Sequence, residues 1–295
     1  MCKSDVGITI FTPTYNRANT LPRLYESLKN QENHTQYIEW LIVDDGSTDD
    51  TETAIRTFQK ESILNITYIK KQNGGKHTAL NVGIKNAKKD YFFCVDSDDV
   101  LQPCAIEKLM SFINKYKPNG IIAYKSDIDT KGQIGSDFPK GLTETTLYEL
   151  INKYKCAGDR SLIYKTNLIQ KIIIPEPTGV KFFPETYLYD KFDAQYTSML
   201  LGASLCNCQY LADGYSNSFR KLMTDNALSM KWFYGERLDM DISFSERFTV
   251  AYRYIAFSLL AKSKEYTYKG PHFLYLISSF PLGMAMYIFY RIKSR

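Results

Sequence analysis

The sequence lacks the markers of secreted, metal-rich or nucleic-acid-binding proteins. Its six cysteines include no CxxC pair, no His or Cys partners stand around them at metal-ligand spacing, and nothing in the first residues announces secretion. The formal net charge is only +5 over 295 residues, which does not indicate nucleic acid as a partner. We therefore expect a protein of the reducing cytoplasm that binds no nucleic acid.

The sequence also lacks low-complexity segments and internal repeats, apart from an alternation of strand and helix patterns in its first half. Apolar, β-branched runs alternate there with amphipathic helical patterns. The runs cover residues 7–13, 38–45, 65–71 and 90–96, and the helical patterns cover 20–30, 50–60, 76–87 and 105–116. This alternation predicts an α/β protein with a mostly parallel sheet, covered by helices on both faces.

Polar or glycine-rich segments follow each of the four predicted strands. In chain order they read TPTYNR, DDGSTDD, KQNGGKH and DSDD. Each one alone is explained by a turn and a helix cap, since Ser47, Thr48 or Asp49 would cap the second helix and NGG is a turn signal. Together they indicate a binding site, because ligands of parallel sheets lie beyond the carboxyl ends of the strands.

Three carboxylates are crowded into one of these segments. Asp96, Asp98 and Asp99 directly follow an apolar run. Like charges this close repel one another, so the cluster costs stability unless a cation or a donor-rich ligand offsets it. The sequence therefore predicts that a positively charged group binds there.

Four segments, in this order and spacing, resemble the nucleotide-sugar domain of inverting GT-A glycosyltransferases of family 2. They are TPTYNRANTLPRLYESL, EWLIVDDGSTDDT, NGGKHTALNVGI and YFFCVDSDDVLQPCAIEKL, within residues 7–130. The resemblance implies a doubly wound GT-A sheet with flanking helices, an acceptor-side region and a helical C-terminus. The expected organisation is a nucleotide-sugar-binding half at 1–130, an acceptor-binding half of the same domain at 131–230 and a helical region at 231–295.

The resemblance further implies a nucleoside diphosphate sugar, and a UDP-sugar in particular, as the donor. The first-strand residues and a carboxylate of the second strand would hold uracil and ribose, and the glycine loop would bring backbone groups and a lysine to the nucleotide. The donor-binding residues implied in this way are Thr12, Pro13, Tyr15, Arg17, Asp44, Asp45, Gly74, Gly75, Lys76, Asn81, Asp96 and Ser97.

The DSD segment would bind a divalent cation, Mn²⁺ or Mg²⁺, because hard cations prefer carboxylate and phosphate oxygens. The resemblance implies Asp98 as the direct metal ligand and Asp96 as a ligand of the metal or the ribose. Asp99 would cap the next helix or support the site. No histidine matches a metal ligand after the base, so the diphosphate, water and Asp98 would have to hold the ion.

The catalytic base is expected in the second half, at the start of a helix after the acceptor-side loop. Glu185 fits this position best because it follows the segment FFP at a predicted helix N-terminus, and Asp190 and Asp193 are alternatives. The helix dipole alone also favours a glutamate there. Asp159 and Arg160 resemble an acceptor-side polar pair.

Other functions are disfavoured by particular residues. A nucleotidyltransferase that makes the sugar nucleotide should carry a glycine-rich phosphate loop after its first strand, but TPTYNRAN contains no glycine. A non-catalytic nucleotide-sugar-binding protein would be expected to lose the carboxylates of Asp96, Asp98 and Glu185, which are all present. No Q-x-x-R-W motif appears, so processive polymer synthesis is not supported. His77 is expected to be a solvated residue at a helix start.

The C-terminus carries a mostly apolar run at residues 273–290, interrupted by Pro281 and followed by Arg291, Lys293 and Arg295. Such a segment suits the cytoplasmic face of a membrane, and it is equally well explained as a helix packed on its own domain or on a partner subunit. We expect peripheral attachment at the inner face of the cell membrane. The expected acceptor is a glycan or a lipid-linked saccharide of a bacterial surface polysaccharide pathway, and the oligomeric state stays open.

Overall fold

The computed structural model describes residues 6–31, 34–208 and 215–293. The chain divides into two compact units. The sheet unit comprises Met1–Ile173 and Leu188–Tyr210, and the helical unit comprises Ile174–Tyr187 and Leu211–Arg295.

The sheet unit contains one sheet and the helices that cover it. Its strands, within the described residues, are β1 (Ile8–Thr14), β2 (Ile38–Asp44), β3 (Asn65–Lys70), β4 (Tyr91–Cys94), β5 (Val100–Leu101), β6 (Gly120–Asp127), β7 (Glu144–Thr145), β8 (Arg160–Lys165) and β9 (Ser198–Cys208). Its helices are α1 (Leu21–Lys29), α2 (Thr51–Glu61), α3 (Lys76–Asn86), α4 (Ala105–Tyr116), α5 (Leu147–Asn152), α6 (Thr166–Ile169) and α7 (Thr186–Asp193), of which the first two residues of α7 belong to the helical unit.

The strands are ordered β3-β2-β1-β4-β8-β6-β9-β5, and β7 pairs with β9. The first four strands of this order are parallel, as are β6 and β9, whereas β8 runs antiparallel to both its neighbours. The prediction of a mostly parallel α/β sheet is confirmed. Because the chain order reverses between β1 and β4, the carboxyl ends of these two strands flank a crevice in which such folds bind ligands.

The first strands form the centre of the core. Every residue of β1 and β2 is buried, and Tyr25, Trp40 and Phe58 stack between α1, β2 and α2 with ring centroids 4.3 to 6.0 Å apart. On α3, a Cβ at Gly83 would lie 2.2 Å from the Phe11 ring of β1. Only a glycine allows this approach of helix to strand, which explains the glycine of the N-x-G segment.

The helical unit contains α8 (Tyr215–Asp225), α9 (Ala227–Arg237), α10 (Phe244–Ala261) and α11 (Phe273–Lys293), which confirms the predicted helical C-terminus. Helix α10 packs against both α9 and α11. One stripe of α11 is buried at Ser279, Gly283 and Tyr290, and the Tyr290 ring lies 5.3 Å from that of Phe257 on α10. Most of the remaining surface of α11 is apolar and exposed.

Candidate active site

The loop after β1 is held by the loop after β2. The Asn16 backbone N–H donates to Ser47 Oγ at 2.8 Å, Asn16 Oδ1 accepts from the Thr48 N–H at 2.9 Å, and the Arg17 N–H donates to Thr51 Oγ1 at 2.9 Å. This contact leaves the Tyr15 side chain 47% exposed at the strand end. An exposed aromatic face at that position offers a surface on which a nucleotide base can stack.

Two of the predicted donor residues lie inside β1 rather than at its surface. Thr12 and Pro13 are buried, and Thr12 Oγ1 accepts a hydrogen bond from Trp40 Nε1 at 3.0 Å. Their side chains support the strand end that presents Tyr15 and Arg17.

The two aspartates at the end of β2, Asp44 and Asp45, are buried and hold neighbouring loops. Asp44 accepts from the Ser47 N–H and from the Tyr68 hydroxyl, both at 2.7 Å. Asp45 accepts from the Gly74 and Gly75 N–H groups at 2.9 and 2.7 Å and forms an ion pair with Lys71 Nζ at 2.7 Å. Asp45 therefore fixes the glycine loop that precedes α3.

The glycine loop, which contains Gly74 and Gly75, places Lys76 in contact with the acidic segment DSDD at residues 96–99. Gly75 has a φ of 95°, which glycine adopts without strain, and α3 begins at the next residue. Lys76 Nζ lies 2.7 Å from Asp96 Oδ1. Desolvation tends to raise the pKa of Asp96, but the ammonium groups of Lys76 and Lys125 outweigh it and hold that pKa below its ordinary value.

Asp99 forms a second and more deeply buried ion pair. Its Oδ2 lies 2.9 Å from Lys125 Nζ of β6 and accepts from Cys208 Sγ of β9 at 3.3 Å. Desolvation opposes a charged Lys125, but the charge of Asp99 more than compensates and raises the Lys125 pKa well above its ordinary value. Asp99 therefore supports the site by holding Lys125 against the acidic segment, and it does not cap α4, which begins at Ala105.

Asp98 stands between Asp96 and Asp99 in the sequence and is half-buried. Burial and then the charges of Asp96 and Asp99 raise its pKa above the ordinary value. Its backbone carbonyl accepts from the Arg23 guanidinium at 2.6 Å, which fixes the turn of the DSDD segment. The ionised Asp98 carboxylate is the member of the cluster that gains most from an added cation.

The acidic segment provides some, but not all, of the ligands that a divalent cation needs. Across the residues that the structure describes, no three His, Cys, Asp or Glu side chains form a metal-binding group. Asp96 and Asp98 nevertheless provide two half-buried hard oxygen donors in a crowded acidic segment. Such a site would hold a cation whose remaining ligands come from a diphosphate and from water.

Sequence reasoning missed several residues of this site. Lys125 and Arg23 contact the acidic segment from β6 and α1, and Lys71 contacts Asp45. A signal for Lys125 was present, because it is a lysine that directly follows the apolar run GIIAY within one predicted strand. Of the remaining predicted donor residues, Ser97 is buried in the acidic segment and Asn81 is half-buried on α3.

One other sequence expectation needs correction. His77 was expected in solvent, but it is 1% exposed because the first turn of α3 packs onto the sheet.

The Arg160 guanidinium donates to the carbonyls of Ile134, Ser136 and Ala157 at 2.7 to 2.9 Å, so it holds the loop around residues 134–157. Asp159, the residue before Arg160, is exposed.

Glu185 lies in the helical unit, half-buried and directly before α7. The chain leading to it is fixed by Asn226, whose Oδ1 accepts from the backbone N–H groups of Lys181 and Phe182 at 2.9 and 3.1 Å. The alternatives lie further along α7, in the sheet unit. Asp190 is buried, and Asp193 Oδ2 accepts from the Tyr148 N–H at 2.8 Å at the start of α5.

Comparison with known proteins identifies related sequences. The family model described as Glycosyl transferase family 2 matches residues 9–165. Over 40% of its length, the chain is 38% identical to an uncharacterized glycosyltransferase of Rickettsia prowazekii. Over 46% of its length, the chain is 30% identical to the poly(ribitol-phosphate) beta-N-acetylglucosaminyltransferase TarP of Staphylococcus aureus. The chain spans 35% and 41% of the lengths of these two relatives.

Solved structures share the fold. A crystal structure of S. aureus TarS in complex with UDP-GlcNAc superposes with a TM-score of 0.66 at 20% identity, covering 95% of this chain and 81% of that one. The mannosyltransferase PcManGT of Pyrobaculum calidifontis, in complex with GDP-Man and Mn²⁺, gives a TM-score of 0.57 at 15% identity, covering 99% and 84%.

Proposed function

Because the chain belongs to glycosyl transferase family 2 and has the GT-A fold, we propose that it is an inverting transferase that moves a sugar from a UDP-sugar to an acceptor hydroxyl. The observation that carries this proposal is the convergence of the strand-end loops of the sheet unit. Asp45 fixes the glycine loop, and that loop places Lys76 on Asp96. Lys76 and Lys125 thus contact the DSDD segment, and the Tyr15 ring is exposed after β1.

The donor would bind along these loops. Tyr15 and Arg17, supported by Thr12 and Pro13, would hold the uracil and ribose, with Asp44 or Asp45 accepting from the uracil N3–H. Gly74, Gly75 and Lys76 would meet the diphosphate, and Asn81, Asp96 and Ser97 would complete the pocket. We propose a UDP-sugar as the donor because TarS, solved with UDP-GlcNAc, superposes with the higher TM-score of 0.66, against 0.57 for PcManGT, solved with GDP-Man.

A divalent cation, Mn²⁺ or Mg²⁺, would be held by Asp98 together with Asp96, and a protein of the same fold was solved with Mn²⁺. When bound, the cation supplies Lewis-acid stabilisation of the charge on the departing nucleoside diphosphate. The ammonium of Lys76 and the guanidinium of Arg17 add positive charge to the same region, which favours that departure without a side-chain acid.

Glu185 would serve as the catalytic base. It would take the proton from the acceptor hydroxyl, and the hydroxyl oxygen would attack the anomeric carbon from the face opposite the diphosphate. A single displacement inverts the configuration at that carbon. In this proposal the donor half comprises residues 1–130, the acceptor half residues 131–230 and the attachment region residues 231–295.

The acceptor would be a glycan or a lipid-linked saccharide of a surface polysaccharide. Two relatives support this class by their names, the poly(ribitol-phosphate) transferase TarP and the minor teichoic acid biosynthesis protein GgaB of Bacillus subtilis. Both names refer to polymers of the bacterial envelope.

Calorimetric titration with UDP tests the donor site directly. We expect UDP to bind in the presence of Mn²⁺ and to bind at least about tenfold more weakly without it, because the diphosphate completes the coordination of the ion. GDP serves as the matched nucleotide control and is expected to bind more weakly than UDP. Absence of UDP binding under both conditions would overturn the proposal.

We also propose that α11 attaches the protein to the cytoplasmic membrane surface. Among the described residues, one helical segment, Phe273–Ile292, is long and apolar enough to cross a membrane by length and composition, with a mean hydropathy of 1.5 and 17% of it buried. It contains no Asp or Glu, Arg291 lies at its C-terminal end, and Lys293 follows it. A helix that is apolar on all sides but packed along one stripe exposes a face suited to lipid.

Vesicle sedimentation tests this attachment. We expect the protein to sediment with vesicles of phosphatidylcholine and phosphatidylglycerol, and Ile277→Glu combined with Ile288→Glu to weaken that binding at least about tenfold, since both side chains are exposed on α11. The control is Ile63→Glu with Ile173→Glu, the same change at exposed isoleucines of the sheet unit. Equal sedimentation of both double variants would refute the attachment.

A further inference from the structure

The acidic segment carries three carboxylates and is matched by two lysines. Lys76 pairs with Asp96 at 2.7 Å, and Lys125 pairs with Asp99 at 2.9 Å. Asp98 stands between Asp96 and Asp99 in the sequence. The two lysines thus pair with Asp96 and Asp99, and Asp98 is the carboxylate of the segment with which neither lysine pairs.

The two ion pairs differ in how readily they exchange partners. The side chains of Lys125 and Asp99 are 14% and 6% exposed, so separating them would leave a charge buried without compensation. Those of Lys76 and Asp96 are 23% and 37% exposed, so water can solvate either group when the pair opens. The Lys76–Asp96 pair is therefore the exchangeable one.

The position of Lys76 gives it a second partner when a nucleotide binds. Lys76 follows Gly74 and Gly75 directly, and it is the first residue of α3. A phosphate group near this loop offers an ammonium group a strong, charge-assisted hydrogen bond. The same phosphate would compete with Asp96 for Lys76.

We infer that Lys76 occupies the Asp96 carboxylate until a nucleoside diphosphate draws its ammonium away, and that Asp96 then becomes available to the divalent cation. This inference rests on the proposed function, since it assumes that a diphosphate and a metal bind at this site. Such an exchange makes the binding of the two ligands mutually dependent. The diphosphate removes the ammonium that competes with the metal for Asp96, and the bound metal raises the affinity for the diphosphate.

The expected consequence is a coupling between metal and nucleotide that passes through one side chain. Wild-type protein should bind Mn²⁺ weakly without UDP and at least about tenfold more tightly with it. By linkage, Mn²⁺ should raise the affinity for UDP by the same factor.

Calorimetry on a small set of variants tests this device. Mn²⁺ is titrated into full-length wild type, Lys76→Met, Lys76→Arg and Lys85→Met, each with and without UDP. Lys85 is exposed near the end of the same helix and supplies the matched loss of one positive charge. The readout is binding, so it does not depend on turnover.

We expect Lys76→Met to bind Mn²⁺ alone about tenfold more tightly than wild type and to lose most of the UDP-dependent gain. Lys76→Arg should restore weak binding of Mn²⁺ alone, and Lys85→Met should match wild type. If Lys76→Met and Lys85→Met give the same Mn²⁺ affinity and coupling while UDP still binds, the inference is overturned and the proposed function stands. If wild type binds no UDP with Mn²⁺ present, both fail together.

Discussion

Replacing Asp98 with asparagine is expected to lower kcat/KM by about a thousandfold. Asp98 is the carboxylate of the acidic segment that neither lysine pair neutralises, so it is the natural direct ligand of the cation. A bound metal contributes several kcal/mol of charge stabilisation in the transition state, and about 4 kcal/mol corresponds to a thousandfold in rate. The asparagine keeps the size of the side chain and removes its charge.

The same substitution should leave the fold intact or stabilise it. Burial and the neighbouring charges of Asp96 and Asp99 disfavour an ionised Asp98 in the metal-free protein, so removing that charge relieves repulsion. We expect the melting temperature of Asp98→Asn without metal to equal or exceed that of wild type. A substitution that lowers activity without lowering the stability of the protein identifies a residue that acts in the site and is not needed for the fold.

Asp129→Asn provides the matched control, because Asp129 is an exposed carboxylate in the loop after β6. It should retain wild-type kcat/KM and wild-type UDP binding. Metal-dependent UDP binding that survives in Asp98→Asn would contradict the assignment of Asp98 as a metal ligand.

The first half of the fold could be predicted because its signals are local. The alternation of β1, α1, β2, α2, β3, α3 and β4 follows apolar, β-branched runs and helical patterns of period 3.6, and the polar loops follow each strand directly. The DSDD segment was visible for the same reason, since crowded carboxylates after a buried strand need compensation wherever they occur.

What the sequence could not predict depends on contacts between distant segments. Lys125 reaches Asp99 from 26 residues away and Cys208 reaches it from 109, and no local pattern records either pairing. The burial of His77 likewise follows from how α3 packs on the sheet. Asp44 and Asp45 were identified from their position, but their roles in holding loops appear only when Tyr68 and the glycine loop are placed beside them.

Replacing Glu185 with glutamine is expected to lower kcat by about a hundredfold to ten-thousandfold, the range that a positioned general base contributes. Glutamine keeps the shape of the side chain and cannot accept the acceptor's proton. UDP and Mn²⁺ binding should stay at wild-type levels, because the donor residues lie in the sheet unit and Glu185 lies in the helical unit. The measurement is steady-state transfer from a UDP-sugar, paired with UDP calorimetry on the same preparation.

Asp193→Asn separates this role from that of the alternative acid on α7. Burial raises the pKa of Asp193 to about 7, and its carboxylate accepts from the Tyr148 N–H at the start of α5. A raised folded-state pKa contributes stability below the unfolded value of 3.8, and that contribution is lost as the pH rises through about 7. Asp193→Asn should therefore gain stability relative to wild type from pH 5 to pH 8 and should change kcat far less than Glu185→Gln.

The two variants together decide which end of α7 performs the chemistry. The Asp193 carboxylate accepts from the Tyr148 N–H in the first turn of α5, a contact that positions α5. If kcat instead falls with Asp193→Asn and survives in Glu185→Gln, the proton acceptor lies at the C-terminal end of α7. The preceding Asn226-fixed segment would then serve only to hold the chain.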